Sequence, residues 1–304
     1  MRYSGEGTQA SPYIPEDLTG FLYCIAQPAS YVKLESDIDA AADSGYEGIL
    51  YEPVTFSCKE CRADSLKKII GVTVMADNML VMPASETVRS VRNIGFLDWS
   101  FKQVSAPSNE KGYLIFANKN TVFSGCPFSV QDVGKCRGLG WCSTGEGSPQ
   151  FSDCSFVIEH IGESQANSDI FHNIVSLNRC SLILDGGNLN IGSNFLNNNA
   201  YSLFRQVGIL IRDTILTSGS SASTVRPFSG NASSCYNYLA FESNCTSNIQ
   251  AAGVKLSNRT SGMTLYVTNN LENLSVDSGA ALCYDLTEAQ IKDADYLAGI
   301  GFFP

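Results

Sequence analysis

The sequence predicts an all-β protein, a right-handed parallel β-helix formed by one chain with short capping helices at both ends. A repeated strand pattern, a turn-rich composition and distinctive terminal segments support this fold class. Charged residues make up 16% of the chain, well below the usual share of about 25%. Asn, Ser, Thr and Gly are abundant, notably in residues 193–202 and 217–234. These residues favour turns and short strands over long helices.

The repeated strand has the pattern apolar-x-x-Cys-x-apolar-x-apolar and occurs in residues 123–130, 151–158 and 177–184. Its cysteines, Cys126, Cys154 and Cys180, are separated by 28 and then 26 residues. Apolar residues at alternate positions share one face of a strand, so each copy needs a neighbour to cover that face. The spacing is too short for repeated βαβ units but suits one solenoid coil. We therefore expect the three thiols to stack about 4.8 Å apart in an internal column.

Weaker copies of the pattern lie on either side of these three strands. Residues 96–101 fit the frame with Trp99 in place of Cys, and residues 211–216 fit it with Thr214, 34 residues after Cys180. A faint copy follows at residues 241–245. A β-sandwich is the competing interpretation, but its strands usually recur every 8–12 residues without one residue type at a fixed position. The predicted hand follows from the strong right-handed preference of parallel crossovers.

The two ends differ from the middle and define three predicted regions. Residues 15–26 combine early acidic residues with an apolar stripe, which predicts a short helix. Thr287 and Gln290 have capping-box spacing before a second apolar face that Gly299 and Gly301 end. Caps are expected because open sheet edges invite pairing with other chains. The predicted regions are an N-terminal cap over 1–45, a parallel β-helix over 46–284 and a C-terminal capping or docking segment over 285–304.

Charge and cysteine content narrow the function classes. The net charge is −10 and no basic run stands out, which argues against a nucleic-acid partner. No apolar run approaches about 18 residues and the N-terminus lacks the pattern of a signal peptide, so neither membrane insertion nor a signal peptide is predicted. Eleven cysteines, an odd number, suggest buried reduced thiols instead of a disulfide framework. No cofactor is predicted.

The terminal segments resemble those of bacterial and phage parallel β-helix proteins. Residues 4–18 contain a GxGT-x-x-x-PY motif and a leucine-bearing helix, and residues 31–39 end in an L-x-x-D-I-D segment. Residues 286–302 are similar to the closing segment of adhesin-like repeats and phage appendage proteins. The resemblance covers about 40 residues at the ends, and the middle matches by its repeat alone.

This resemblance implies a virion fibre, a tail or head appendage, a decoration protein or a surface adhesin. The absence of an evident secretion signal and anchor favours a virion component assembled in the host cytoplasm. Its expected partners are other virion proteins and a host-surface glycan, and lateral packing of elongated β-helices allows a homotrimer. Two alternatives remain. One is a bacterial surface adhesin, and the other is a polysaccharide-cleaving tailspike that acts as a glycoside hydrolase or lyase.

The enzymatic alternative requires two carboxyl groups about 5–9.5 Å apart. Asp153 and Asp213 directly precede Cys154 and Thr214 in the repeat, so both are expected to point outward and are the candidate catalytic pair. Asp is also an ordinary turn residue. We therefore expect a non-catalytic protein, with these acids as the candidates if the chain is an enzyme.

Aromatic residues are the candidate contacts for a ligand or partner. Trp141 lies in the glycine-rich stretch 133–141, where an exposed ring could stack on a sugar or dock a protein. Packing of that loop onto the solenoid is an equal alternative. Tyr236 and Tyr238 have the same two interpretations, and Phe302 and Phe303 near the C-terminus are candidate docking residues.

Three further features are explained by structure without invoking chemistry. Cys58 and Cys61 have the spacing of half a zinc site, but no second pair with suitable spacing exists. They are predicted to be structural thiols, and no metal site is expected. His160 and His172 lack a nucleophile elbow, so a surface or coil-corner position is expected. The Gly5–Thr8 segment is interpreted as a turn.

Overall fold

The structure is a computed structural model that describes most of the N-terminal half and the regular elements of the remainder. The described backbone comprises residues 2–43, 49–83, 85, 88–102, 104, 111–117, 120–131, 138–141, 150–161, 171–172, 176–190, 194–196, 203–212, 215–218, 224–228, 235–241, 246–249, 254–256, 263–268, 274–276, 283–285, 287–291 and 293–299. Side chains are described up to residue 131, over 150–159, at Cys180 and Leu182, and at some positions of the C-terminal helices.

The described part of the chain is dominated by short strands. The helices are α1 (Leu18–Ala26), α2 (Glu288–Ile291) and α3 (Ala294–Gly299), with a 3-10 turn at Ala40–Ala42. The strands are β1 (Tyr3–Ser4), β2 (Ile14–Pro15), β3 (Tyr31–Lys33), β4 (Ile38–Asp39), β5 (Ile49–Leu50), β6 (Val54–Thr55), β7 (Glu60–Ile70), β8 (Thr73–Val74), β9 (Leu80–Met82), β10 (Arg89–Phe101), β11 (Tyr113–Ala117), β12 (Thr121–Ser124), β13 (Pro127–Gln131), β14 (Gly138–Trp141), β15 (Gln150–Ser152), β16 (Ser155–Ile161), β17 (Phe171–His172), β18 (Ser176–Asn190), β19 (Asn194–Leu196), β20 (Leu203–Arg212), β21 (Ile215–Ser218), β22 (Thr224–Phe228), β23 (Cys235–Phe241), β24 (Thr246–Ile249), β25 (Val254–Leu256), β26 (Met263–Thr268), β27 (Leu274–Val276) and β28 (Cys283–Asp285).

The strands form stacked parallel sheets, which confirms the predicted β-solenoid. One sheet contains nine strands in the order β27-β25-β22-β19-β17-β14-β11-β9-β6. The other runs from β3 through β7, β10 and β12–β13 to β28, again with parallel neighbours. Successive strands within each sheet come from successive passages of the chain, so each coil adds one strand to the nine-stranded sheet and one or two strands to the other. The ladder includes β3 and β4, which pair with β7.

The predicted cysteine column is present inside this stack. Phe128 pairs with Phe156, and Phe156 with Leu182, which places the cysteine two residues before each of them at one repeated position. Cys126 and Cys154 directly precede β13 and β16, and Cys180 lies within β18. Cys126, Cys154 and Cys180 are 0%, 2% and 3% exposed. These thiols behave as small apolar side chains in a close-packed interior.

The weaker copies of the repeat on either side of the three cysteine strands were predicted at the wrong residues. Trp99 is buried as expected, but it pairs with Val130 and donates an indole hydrogen bond to the Ile69 carbonyl at 2.8 Å. Because Phe96 pairs with Phe128, it is Ile94 that corresponds to Cys126.

On the other side, Cys180 pairs with Val207 and not with Thr214. Residues 204–211 repeat the pattern with Val in place of Cys, a substitution that a search for cysteine overlooks. Phe241 pairs with Ile211, so the faint copy at 241–245 was also displaced from the true frame.

Aromatic side chains stack from coil to coil beside the cysteines. Phe96 lies on Phe128 with ring centroids 5.0 Å apart, and Phe128 lies on Phe156 at 4.9 Å. Phe123 and Phe151 form a second parallel stack at 5.0 Å. The spacing matches the distance between neighbouring strands, so identical residues in consecutive coils are held face to face.

A bend beside the column uses backbone of the left-handed region. Asn93, Gly125 and Asp153 have φ values of 56°, 63° and 54°. They occupy the same place in three successive coils, because the residue before each of them pairs with its counterpart in the next coil. This region favours Gly, Asn and Asp because larger side chains clash with the backbone there. The Asn93 amide also donates to the Ala63 carbonyl at 3.1 Å. The sequence directly before the cysteine position is therefore set by the bend.

The N-terminal segment covers the first coil. Asp17 caps α1 by accepting a hydrogen bond from the Gly20 amide at 2.6 Å, so it is the N-cap and does not belong to the first turn. Phe21 packs edge-to-face on Phe56, which continues the aromatic contacts into the stack. The Tyr13 backbone N–H donates to the Tyr31 carbonyl and the Tyr13 carbonyl accepts from the Lys33 N–H, both at 2.8 Å, so Tyr13 covers the free edge of β3.

The C-terminal segment forms two short helices where one was expected. The Gln290 amide N–H donates to Thr287 Oγ1 at 3.3 Å, and the Thr287 amide donates to Gln290 Oε1 at 2.8 Å, which confirms the capping box. A second cap follows because Asp293 accepts from the Tyr296 amide at 3.0 Å. The new N-cap separates α2 from α3.

Replacing Gly125 with Ala tests the stacked bend. A Cβ atom there would lie 2.7 Å from Asn93 Oδ1 and would face a positive φ. Gly71→Ala is the matched control, because its φ is 76° but nothing lies within 4 Å of its Cβ position. We expect the control to lower the free energy of unfolding by about 1–2 kcal/mol. Gly125→Ala should cost roughly 1–3 kcal/mol more because of the added contact, measured by urea unfolding. Equal losses would show that the contact with Asn93 is unimportant.

Candidate functional surfaces

The first coils carry a column of charged residues on one sheet. Lys33, Arg62 and Arg92 pair in register on β3, β7 and β10. Lys33 Nζ lies 3.0 Å from an Asp64 carboxylate oxygen, and Arg62 Nε and Arg92 lie 3.0 Å and 3.6 Å from Glu60. The hydrogen bond with Asp64 raises the pKa of Lys33, and the same bond lowers the pKa of Asp64. The cations are thus balanced locally, and such exposed pairs contribute little stability individually.

The charged column changes to neutral residues further along the solenoid. Arg92 pairs with Ser124, Ser124 with Ser152, and Ser152 with Asn178, which pairs with Arg205, so three neutral residues separate the cations of this column. This succession agrees with the low charge fraction of the sequence. Ser124 and Ser152 are half-buried and supply hydroxyl groups where the first coils use ion pairs.

An aromatic cluster lies on the N-terminal cap. The Tyr3 ring stacks on Tyr23 at 5.1 Å and meets Tyr13 edge-to-face at 5.3 Å. A hydrogen bond with the Tyr23 phenol raises the pKa of Tyr3. Tyr23 is 37% exposed, so the cluster presents both apolar ring surface and phenol oxygens to solvent. Rings of this kind are common in protein interfaces because they combine apolar area with a polar group.

A shallow groove of about 370 Å³ lies beside α1 on the same cap. Its walls include Leu22 and Ala26 of the helix and the segment from Ile49 to Thr55. Tyr51 is 71% exposed and Ile49 is 37% exposed. Glu52 is the charged residue among those that line the groove. We call the tyrosine cluster and this groove the cap surface.

The sequence did not lead us to the cap surface. The tyrosines at positions 3, 13 and 23 are separated by ten residues each, but their rings meet only because the N-terminal segment folds back over α1. Gly7 allows this fold, since a Cβ there would lie 2.4 Å from the Tyr13 ring. The glycine-rich start is therefore a turn that packs an aromatic ring, consistent with its interpretation as a turn.

The candidate catalytic acids receive a structural explanation where the structure describes them. Asp153 is exposed, as expected, but it occupies the left-handed bend that Asn93 and Gly125 occupy in neighbouring coils. Asp98 is also exposed and has a φ of 55°. Asp213 lies outside the described residues. An aspartate at Asp153 is thus accounted for by backbone conformation without a catalytic role.

The aromatic candidates are distributed over both sheets. Trp141 lies in strand β14, where it pairs with Phe116 and His172, so its assignment to a loop was wrong. Gly138 and Gly140 before it belong to the same strand, which is part of the nine-stranded sheet. Tyr236 and Tyr238 lie in β23, and Tyr238 pairs with Gly208 and Tyr266. Phe302 and Phe303 lie outside the described residues.

The cysteines of the first coils are buried thiols. Cys24, Cys58 and Cys61 are all buried and none forms a disulfide. Burial raises the pKa of Cys58 to about 12, and burial together with the nearby Asp17 carboxylate raises the pKa of Cys24 to about 11. In the described part of the chain, no three His, Cys, Asp or Glu side chains are grouped to hold a metal ion. The described helices are also too short or too polar to span a bilayer.

Comparison of the chain with protein-family models, curated proteins and solved structures gave no match.

The buried thiols predict a loss of stability at alkaline pH. Because the pKa of Cys58 rises from 9.0 to about 12 on folding, the folded chain retains a proton that the unfolded chain loses. This contribution is complete below about pH 9 and declines as the pH rises toward 12. We expect Cys58→Ser to show a shallower decline of the urea midpoint between pH 8 and 10.5 than the unmodified chain. If the urea midpoints of the two chains fall in parallel with pH, the raised pKa of Cys58 is contradicted. Titration of Tyr and Lys affects both chains equally and therefore cancels in the comparison.

Proposed function

We propose that this chain is a non-catalytic component of a bacteriophage particle, a fibre, appendage or decoration protein that contributes to particle structure or host attachment. The proposal combines the β-solenoid fold with the resemblance of the terminal segments to phage and bacterial β-helix proteins. The fold is compatible with this role and with other roles, so the surface of the molecule supplies the more specific support.

The cap surface is the observation that carries the proposal. Tyr23, Ile49 and Tyr51 are exposed, the first stacked on the half-buried Tyr3 and the other two in the groove beside α1. Exposed aromatic and aliphatic side chains of this kind are enriched in protein interfaces. Another virion protein with an apolar segment and a basic residue opposite Glu52 would match the groove. The cap would then join the solenoid to the particle.

The interior of the described coils supports a scaffold role over catalysis. Cysteine, phenylalanine and aliphatic residues fill the core positions, and Asp153 is explained by its bend. The glycan-cleaving alternative would need a second carboxyl group opposite Asp153. The candidate partner, Asp213, lies outside the described residues. The polysaccharide incubation described below tests for enzymatic activity.

Particle composition tests the proposal directly. Mass spectrometry of purified virions that encode the chain should find it at a fixed stoichiometry, and antibodies should label intact particles. Incubation of the purified chain with host-envelope polysaccharides should release no oligosaccharide. Absence from purified particles would refute the virion role, and oligosaccharide release would refute the non-catalytic one.

A matched pair of variants tests the cap surface. Tyr51→Ser removes the most exposed ring of the groove, whereas Leu66→Ser replaces an apolar residue that is 45% exposed elsewhere on the solenoid. We expect Tyr51→Ser to reduce incorporation into particles at least tenfold, the effect of losing an interface anchor worth about 1.4 kcal/mol or more. Leu66→Ser should leave incorporation unchanged. Equal incorporation of the two variants into particles would show that the cap surface has no role in assembly.

A further inference from the structure

The cysteine column contains three thiols that share a repeated position on consecutive coils. The residues two positions after them, Phe128, Phe156 and Leu182, pair in direct register. Neighbouring strands lie about 4.8 Å apart, and the Cα atoms of a disulfide are usually about 4.4–6.8 Å apart. The backbone therefore holds each neighbouring pair within the range that a disulfide requires.

The sulfur atoms also approach one another. The Cys154 thiol makes hydrogen bonds with the thiols of both Cys126 and Cys180, and these bonds together with burial raise its pKa well above the ordinary value. Each sulfur also lies 3.3–3.5 Å from a backbone carbonyl oxygen, that of Val91 or Ser124 for Cys126, Ser152 for Cys154 and Phe151 for Cys180. Cys154 is the central member and the shared neighbour of the other two.

We propose that the cysteine column is an oxidative modification site, at which a peroxide joins consecutive coils by a disulfide between Cys154 and either Cys126 or Cys180. The two disulfides exclude each other because both require Cys154. One outer thiol remains reduced in each product. The chemistry does not depend on the proposed function of the chain.

The reaction balances with hydrogen peroxide as the oxidant. The sulfur of an outer cysteine, as its thiolate, attacks one peroxide oxygen and breaks the O–O bond, which gives a sulfenic acid and, with one proton, water. The sulfur of Cys154 then attacks the sulfenic sulfur, the S–S bond forms, and the hydroxyl group leaves as a second water with the Cys154 proton. Overall, two thiols lose two electrons and two protons to one peroxide molecule.

The cysteines of the first coils provide an internal comparison. Cys24, Cys58 and Cys61 are equally buried, but they come from α1, from the segment before β7 and from β7 itself. Cys61 pairs with Val32 and Val91 in its ladder, so no cysteine occupies its position in either neighbouring coil. These three thiols are buried but do not share a repeated position, so we expect them to form no disulfide after oxidation.

Peptide mapping tests the proposal on the full chain. The folded protein is treated with hydrogen peroxide, remaining thiols are alkylated in denaturant, and a non-reduced digest is examined by mass spectrometry. We expect cross-linked peptides that contain Cys154 with Cys126 or Cys180, an increased urea midpoint that dithiothreitol reverses, and alkylated Cys24, Cys58 and Cys61. Absence of both cross-links, or cross-links confined to other cysteines, would overturn the proposal.

Serine variants distinguish the shared cysteine from its neighbours. Cys154→Ser should abolish both cross-links and the reversible increase in the urea midpoint. Cys126→Ser should retain the Cys154–Cys180 link, and Cys180→Ser should retain the Cys126–Cys154 link. If Cys154→Ser does not fold, the two outer variants and the map of the unmodified chain still decide the question. An unchanged reversible increase in a folded Cys154→Ser chain would contradict the assignment.

Discussion

The hydrogen-bonded register between parallel coils is the constraint on which the rest of this structure depends. Parallel pairing holds equivalent residues of successive coils about 4.8 Å apart, so each side chain meets its counterpart directly. Phe128 on Phe156 and Phe123 on Phe151 show the result, with ring planes only 4° from parallel in both pairs. Cys126, Cys154 and Cys180 fill the narrower space beside them. Each position must therefore suit the coils on both sides.

The same constraint explains the polar residues within the stack. A bend repeated at one place in each coil requires the left-handed conformation at Asn93, Gly125 and Asp153. Asn and Asp tolerate that conformation better than other residues with side chains. Charge obeys the register as well, because Lys33, Arg62 and Arg92 fall in one column and need acidic neighbours. The candidate catalytic residue Asp153 is thus explained by the backbone bend.

The N-terminal cap completes the first coil and creates a surface of its own. Tyr13 pairs with the exposed edge of β3, and α1 places Phe21 against Phe56. Satisfying the edge and covering the end of the core are general requirements of an open solenoid. Tyr23 on α1 is exposed, and so are Ile49 and Tyr51 in the groove beside that helix.

The sequence by itself determined the β-solenoid, the cysteine column, the N-terminal helix and the C-terminal capping box, because each is set by local periodicity or by residues close in the chain. It misplaced Trp99, Thr214 and Trp141. Cysteine was taken as the marker of the repeat, whereas packing accepts Ile94 or Val207 at the same position. The tertiary structure alone decided the register, the structural role of Asp153 and the meeting of Tyr3, Tyr13 and Tyr23. These depend on which distant residues become neighbours, and that is fixed only when hydrogen bonds join one coil to the next.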